Sequence, residues 1–130
     1  MDEFVWTLDL ITGNEIIDFQ HKKLFDYVNI LIIASSSKDP HNLTTKETID
    51  ALIEYAVLHF DDEELVLESI EYPDLVAHQK LHGDFANKVV DFRTRLESGE
   101  DVINELVLFV KDWLVVHVKQ EDMKALKRNS

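Results

Sequence analysis

Two pairs of side chains that can bind a metal lie in one stretch of the chain, HFDDEELVLESIEYPDLVAHQKLH, which spans residues 59–82. His59 and Glu63 form the first pair, and His78 and His82 form the second. Each pair is spaced i, i+4, so on a helix its two side chains stand on one face, one turn apart. Imidazole nitrogens and carboxylate oxygens in that arrangement are suited to coordinating a metal ion.

The segment Tyr72-Pro73-Asp74 separates the two pairs and predicts a turn between two helices. Proline suits the first turn of a new helix and disfavours helical geometry at the residue before it. The first pair is centred about ten residues before this turn and the second about nine after it, and a helix rises about 1.5 Å per residue. The stretch is therefore predicted to be a helical hairpin whose four candidate ligands meet at one height.

The remainder of the chain supplies further helices around this hairpin. Apolar residues recur in steps of three and four, which predicts helices over residues 14–36, 44–71, 73–97 and 101–118. Thr44 and Glu47 have the spacing of a capping box at the start of the second helix. The short connections predict an all-α fold, an antiparallel up-and-down four-helix bundle. A non-helical N-terminal arm (1–13) and a short C-terminal tail complete one domain over residues 1–130.

The outer helices each place a histidine on their apolar face. His21 lies about as far from the first loop as His59 does, and His117 about as far from the last loop as the His78/His82 pair. One histidine on an apolar face is usually a core residue, but burying five without partners would cost several kcal/mol. The set therefore predicts a metal site. His41, in a polar loop, is predicted to be a solvated surface residue.

Spacing along the helices identifies one candidate carboxylate ligand but leaves two alternatives for the other. Glu63 shares the helix face of His59, whereas its acidic neighbours are predicted to form a solvated face; these are Asp61, Asp62 and Glu64. Beyond His117, a regular helix favours Glu121 at i+4. Asp122 at i+5 requires the helix to end or to change its winding, so the residues alone leave both alternatives open.

Composition excludes several classes of protein. With 26 acidic and 13 basic residues the net charge is −13, which disfavours nucleic acid and anionic membranes as partners. The chain has no cysteine, so thiolate sites and disulfides are excluded. Its start lacks the pattern of an export signal, and its longest apolar runs are too short for a membrane span. A cytoplasmic protein is predicted.

The number and type of ligands narrow the choice of metal. Five imidazoles and two carboxylates are too many for one ion, and a zinc hydrolase site uses three protein ligands. Calcium and magnesium prefer oxygen ligands, and the Glu-x-x-His pairs of ferritin-like bundles are absent. A nitrogen-rich pair of iron ions fits the ligands best.

The same residues make the chain resemble the hemerythrins, and among them the single-domain bacterial hemerythrins. The resemblance extends over essentially the whole chain and rests on several motifs. These are Trp6, DFQH ending at His21, HFDDE at 59–63, Tyr72-Pro73, HQKLH at 78–82 and WLVVHVKQED at 113–122.

The resemblance implies two iron ions joined by an oxo or hydroxo bridge, with both carboxylates bridging as well. One iron would be held by His78, His82 and His117, the other by His21 and His59, with Glu63 and Asp122 shared. Five histidines and three bridges fill eleven of about twelve octahedral positions. The open position, on the iron with two histidines, would accept dioxygen. The apolar residues expected to surround it are Leu24, Phe60, Leu114 and Val118.

The function that follows from the resemblance is reversible dioxygen binding for carriage, storage or sensing, without enzymatic turnover. One alternative is a di-iron enzyme acting on peroxide, dioxygen or nitric oxide. A second is a sensory module that signals to an unidentified protein partner. A monomer is favoured over an oligomer.

Overall fold

Four long helices carry most of the chain in the computed structural model, which describes residues 4–36 and 43–127. They are α1 (Glu15–Ser35), α2 (Leu43–Ser69), α3 (Leu75–Glu97) and α4 (Ile103–Val116). Helix α1 packs against α2 and α4, and α3 packs against the same two helices, so the four enclose a common interior. The described residues contain no strand. The predicted all-α four-helix bundle is confirmed.

The end of the fourth helix differs from the sequence prediction, which placed a short tail after about residue 118. The chain instead continues as a π-helical segment (His117–Asp122) and a short helix, α5 (Met123–Lys127). The backbone N–H of Met123 donates to the carbonyl of Val118, a bond between residues five apart. The extension packs fully buried Ala125 against the α2–α3 turn, and this apolar burial stabilises the continued helix.

Local sequence explains the other boundaries. The Asn14 side chain caps α1 by accepting from the backbone N–H groups of Ile16 and Ile17. The α2–α3 turn needs a positive φ of 53° at Glu71, and α3 begins at Leu75 rather than at the proline. The predictions for His41 and for the Thr44 side chain lie outside the described residues.

The interior consists of two apolar clusters with a polar layer between them. The larger cluster includes Phe60 and Val118, and the smaller contains Leu67 and Ala125. Along α2, Glu63 lies between Phe60 of the larger cluster and Leu67 of the smaller one. The histidines and carboxylates predicted from the sequence lie in this polar layer.

The N-terminal arm, predicted to be non-helical, packs against α1 and includes a short 3₁₀ turn at Leu8–Leu10. Its Phe4 ring stacks on Phe25 at 3.9 Å, and the Phe4 backbone exchanges two hydrogen bonds with Asn29. Asp9 pairs with Lys119 of the π-helical segment at 3.1 Å. Among the helices described, none has both the length and the apolar character required to cross a membrane.

Candidate metal centre

The two ligand pairs of the α2–α3 hairpin meet inside the bundle. The Nε2 atoms of His78 and His82 lie 2.8 and 3.2 Å from Oε1 of Glu63. The Nε2 atom of His59 lies 3.2 Å from Oε2 of the same residue. Helical spacing on both arms of the hairpin thus brings all four side chains to one point.

The outer helices complete the cluster. Nε2 of His21 lies 3.0 Å from Oδ2 of Asp122, and Nε2 of His117 lies 3.0 Å from Oδ1 of Asp122 and 3.1 Å from Nε2 of His82. All seven predicted ligands are at most 4% exposed. The structure therefore brings together the five nominated histidines with Glu63 and Asp122.

The π-helical segment decides between the two acids that spacing left open. Residues five apart share a face in π-helical winding, so Asp122 stands beside His117 and is fully buried. Glu121, the i+4 candidate, stays partly exposed. Because helix propensities do not encode one turn of altered winding, sequence reasoning without a resemblance had no signal for this choice.

Each carboxylate divides its two oxygens between two groups of histidines. Oε1 of Glu63 faces His78 and His82, whereas its Oε2 faces His59 at 3.2 Å and His21 at 3.5 Å. Oδ1 of Asp122 likewise faces His78 at 3.0 Å, and its Oδ2 faces His21. Two overlapping groups able to hold a cation result: His78, His82 and His117 with both acids, and His21 and His59 with the same two acids.

Both carboxylates are held in their charged form by the surrounding imidazoles. Burial alone raises the pKa of Glu63, but the four histidines around its carboxylate outweigh burial and bring that pKa well below its ordinary value. Burial and the charge of Glu63 raise the pKa of Asp122, yet the contacts with His117 and His21 lower it to about 2. Two negative charges therefore lie in the dry interior, which favours a cation between them.

The pKa values of the histidines shift in different directions, depending on how many carboxylate oxygens surround each ring. Burial lowers the pKa of His21 and of His78, but neighbouring Asp122 and Glu63 raise both pKa values to about 9. For His59 burial prevails, and its pKa is lowered. In the metal-free protein, protons on His21 and His78 take the place of positive charge that a metal would provide, and metal binding must release them.

This difference predicts a pH dependence for the metal-free protein. Because His21 and His78 bind protons more tightly when folded, their stabilisation is complete below pH 6.5 and is lost as pH rises through about 9. Each contributes on the order of 3 kcal/mol. The lowered pKa of His59 affects stability only below pH 6.5, so it does not change the loss of stability expected between pH 6.5 and about 9. Urea unfolding in chelator at both ends of this range measures it, and equal stabilities would contradict it.

Several buried atoms at the centre have no hydrogen-bond partner among the described residues, which tests whether a metal fits. They include Nε2 of His21, both carboxylate oxygens of Asp122 and Oε2 of Glu63. Leaving such groups unpaired in the interior is costly. Cations between the imidazole nitrogens and the carboxylate oxygens would satisfy these inward-facing atoms, so the residues fit a metal centre.

Two acids that the sequence assigned to a solvated face make hydrogen bonds beside the candidate ligands instead, Glu64 with His82 directly and Asp62 through Gln20. Oε2 of Glu64 accepts from Nδ1 of His82 at 2.8 Å. Oδ2 of Asp62 accepts from the amide of Gln20 at 2.7 Å, and that amide contacts Nδ1 of His59 at 2.7 Å. Such partners orient metal-binding imidazoles. The prediction for these two acids was wrong because the packing of α1 and α3 against α2 was not visible in the sequence.

Aromatic rings support the centre on its apolar side. Phe60 stacks on His82 at 4.0 Å, and Trp113 stacks on His117 at 4.3 Å. The two aromatic rings lie 6.0 Å apart. The residues predicted to line a dioxygen pocket are all buried in the larger apolar cluster: Leu24, Phe60, Leu114 and Val118. Of these, Phe60 packs nearer to the three-histidine group than to His59.

An antiparallel four-helix bundle with a buried layer of histidines and shared carboxylates defines a metal-binding bundle protein. The family model described as the hemerythrin HHE cation binding domain matches residues 12–128. The chain belongs to the hemerythrin family. Family membership and the cluster of His, Glu and Asp side chains together support non-haem iron binding here.

Individual relatives agree with this assignment. The chain is 36% identical to a bacteriohemerythrin of Pseudomonas paraeruginosa over 94% of its length and 78% of the relative's. It is 34% identical to a bacteriohemerythrin of Stenotrophomonas maltophilia over 91% of its length and 76% of the relative's. A crystal structure of wild-type hemerythrin superposes with a TM-score of 0.85 at 30% identity, covering 95% of this chain and 98% of that one.

Proposed function

We propose that the protein binds dioxygen reversibly at a pair of non-haem iron ions, for carriage, storage or sensing. The observation that carries the proposal is the division of the carboxylate oxygens, since Glu63 and Asp122 each present one oxygen to either histidine group. This arrangement suits two neighbouring cations, because each oxygen can serve one of them.

The two groups would provide unequal numbers of donors. One contains three histidines and two carboxylates, and the other contains two histidines and the same two carboxylates. With an oxo or hydroxo bridge added to each, only the two-histidine iron would keep a position free in a shell of about six. His21 and His59 are thus the residues that we assign to the dioxygen-binding iron.

Bound in its ferrous state, the iron pair would supply the two electrons that dioxygen takes up and would recover them on release. Side chains that cannot donate a proton to the bound dioxygen would favour its release intact. Leu24, Leu114 and Val118 are at most 2% exposed and carry no acid. Apolar side chains next to the open position would exclude water and provide no donor for cleavage of the O–O bond. Binding rather than enzymatic turnover is the expected result.

Optical spectroscopy with an iron count tests the proposal. Protein reconstituted anaerobically with ferrous iron is expected to hold two ions per chain, matching its two ligand groups. Air should produce a visible absorption band that disappears under vacuum and returns on re-exposure. One ion per chain, or sustained turnover of an oxidisable substrate, would overturn the proposal in favour of a structural metal or an enzyme.

A conservative change in the apolar wall should shorten the lifetime of the dioxygen-bound state. Val118→Thr keeps the shape of the side chain but adds a hydroxyl that can donate a proton. One such hydrogen bond is worth up to about 1.5 kcal/mol, so decay of the visible band should accelerate by roughly tenfold. Val107→Thr is the matched control, because Val107 is equally buried but lies about 16 Å nearer the start of α4. Equal decay rates in both variants would show that Val118 does not line the dioxygen pocket.

A further inference from the structure

The buried side chain of Gln20 connects His59 to Asp62. Gln20 is 6% exposed and uses both ends of its amide: Oε1 lies 2.7 Å from Nδ1 of His59, and Nε2 lies 2.7 Å from Oδ2 of Asp62. Both contacts are short and link α1 to α2. Gln20 contacts Nδ1 of His59, whereas Nε2 on the other edge of the ring faces Glu63. Gln20 and Asp62 can therefore influence the ring without occupying the nitrogen that would bind a metal.

Only one arrangement of donors and acceptors satisfies the hydrogen bonds that run from Asp62 through Gln20 to His59. A carboxylate can only accept, so Asp62 requires the NH2 group of Gln20 to face it. The carbonyl oxygen of Gln20 then faces His59, and a carbonyl also can only accept. Nδ1 of His59 must therefore carry the proton and donate it. In a neutral imidazole this leaves Nε2 with a lone pair directed toward Glu63 and the metal centre.

His82 contacts its orienting carboxylate directly, whereas His59 is linked to Asp62 only through Gln20. Nδ1 of His82 lies 2.8 Å from the carboxylate of Glu64 without an intervening amide, which fixes the same tautomer directly. On the two-histidine side the orienting charge stands one residue further away and is transmitted by Gln20. An amide can turn over and exchange its donor and acceptor, whereas a carboxylate has no donor end, so the tautomer of His59 depends on Asp62.

We propose that Asp62, acting through Gln20, is a positioning residue that fixes the metal-binding tautomer of His59 and thereby sets the metal affinity of the two-histidine side. The inference rests on the proposed metal centre. That side has one histidine fewer than the other, so withdrawal of one imidazole affects it more. With asparagine at position 62, Gln20 can reverse and donate to Nδ1 of His59, which places the ring proton on Nε2 and blocks coordination.

The tautomer is measured first, in metal-free protein labelled with ¹⁵N-histidine, so that this readout needs no metal. His59 of the wild type is expected to carry its proton on Nδ1. Asp62→Asn should shift a substantial fraction to the Nε2 form. Asp61→Asn is the matched control, because it removes the same charge from the adjacent exposed residue. A wild-type His59 protonated on Nε2, or equal spectra for Asp62→Asn and the wild type, would overturn the inference.

Titration with Co²⁺ under argon measures the consequence for binding. Asp62→Asn is expected to weaken the second equivalent by about 10- to 100-fold, the usual effect of removing an outer partner of a ligand. The first equivalent and the Asp61→Asn control should match the wild type. A uniform loss in both equivalents would show a merely structural role. A wild type that binds no second ion would defeat the proposed function, while the tautomer result stays interpretable.

A charge exchange provides the rescue. In the double variant Gln20→Glu/Asp62→Asn, the carboxylate at position 20 can only accept from Nδ1 of His59, and the amide at position 62 can donate to it. The Nδ1 tautomer and the second Co²⁺ affinity are expected to return to wild-type values within about threefold, against a loss of 10- to 100-fold in the single variant. A double variant as weak as Asp62→Asn would contradict the proposed relay.

Discussion

Asp122→Asn is expected to reduce the iron content from the proposed two ions per chain to at most one, whereas Glu121→Gln is expected to leave it unchanged. Asp122 is fully buried and faces His21, His78 and His117, each at 3.0 Å. Asparagine keeps the size of the side chain but removes the charge and one acceptor oxygen. Both proposed ions depend on this side chain, so both lose a ligand.

The expected magnitude follows from the burial of the charge. Removing one partner from a buried ionic cluster costs about 3–5 kcal/mol, which corresponds to a loss of iron affinity between roughly 100-fold and a few thousandfold. Iron content after desalting and a competitive chelator titration would measure it. Glu121 carries the same charge on the preceding, partly exposed residue. Iron loss in Glu121→Gln with retention in Asp122→Asn would show that the π-helical winding is wrong.

Removal of iron is expected to lower the melting temperature by on the order of 10–20 °C. The metal-free interior contains five histidines and two charged carboxylates whose inward atoms are incompletely paired. A ligand present at about 1,000 times its dissociation constant stabilises the folded state by about 4 kcal/mol, and each kcal/mol shifts the melting temperature of a domain of this size by several degrees.

Calorimetry of iron-loaded and chelator-treated protein at one pH measures this difference. Redox-inert Zn²⁺ should restore much of the lost stability, because the effect depends on charge and ligand pairing rather than on electron transfer. Asp122→Asn serves as the control and should respond little to iron. Equal melting temperatures with and without metal in the wild type would indicate that the polar layer is stable without a cation.

The helical pattern alone determined most of the architecture. Steps of three and four along the chain defined the four helices, and the short connections made them antiparallel. Because a helix rises by a constant amount per residue, counting from the loops placed His21, His59 and His117 at one height. These quantities depend only on spacing, so they could be obtained before any side chain was positioned.

Tertiary structure decided the features that depend on packing between helices. The winding at His117–Asp122 selected Asp122 over Glu121, and no local preference encodes one turn of π-helix. The assignment of each carboxylate oxygen to a histidine group requires side-chain directions that spacing does not give.

The acids beside Glu63 show the same division between sequence and structure. Asp62 and Glu64 belong to an acidic run that by composition alone predicts a solvated face, yet Gln20 of α1 and His82 of α3 lie against them. The sequence determined which residues share a level of the bundle, because the rise of a helix is fixed. Only the packed helices determined which atoms face one another, because that depends on the rotation of each helix about its own axis.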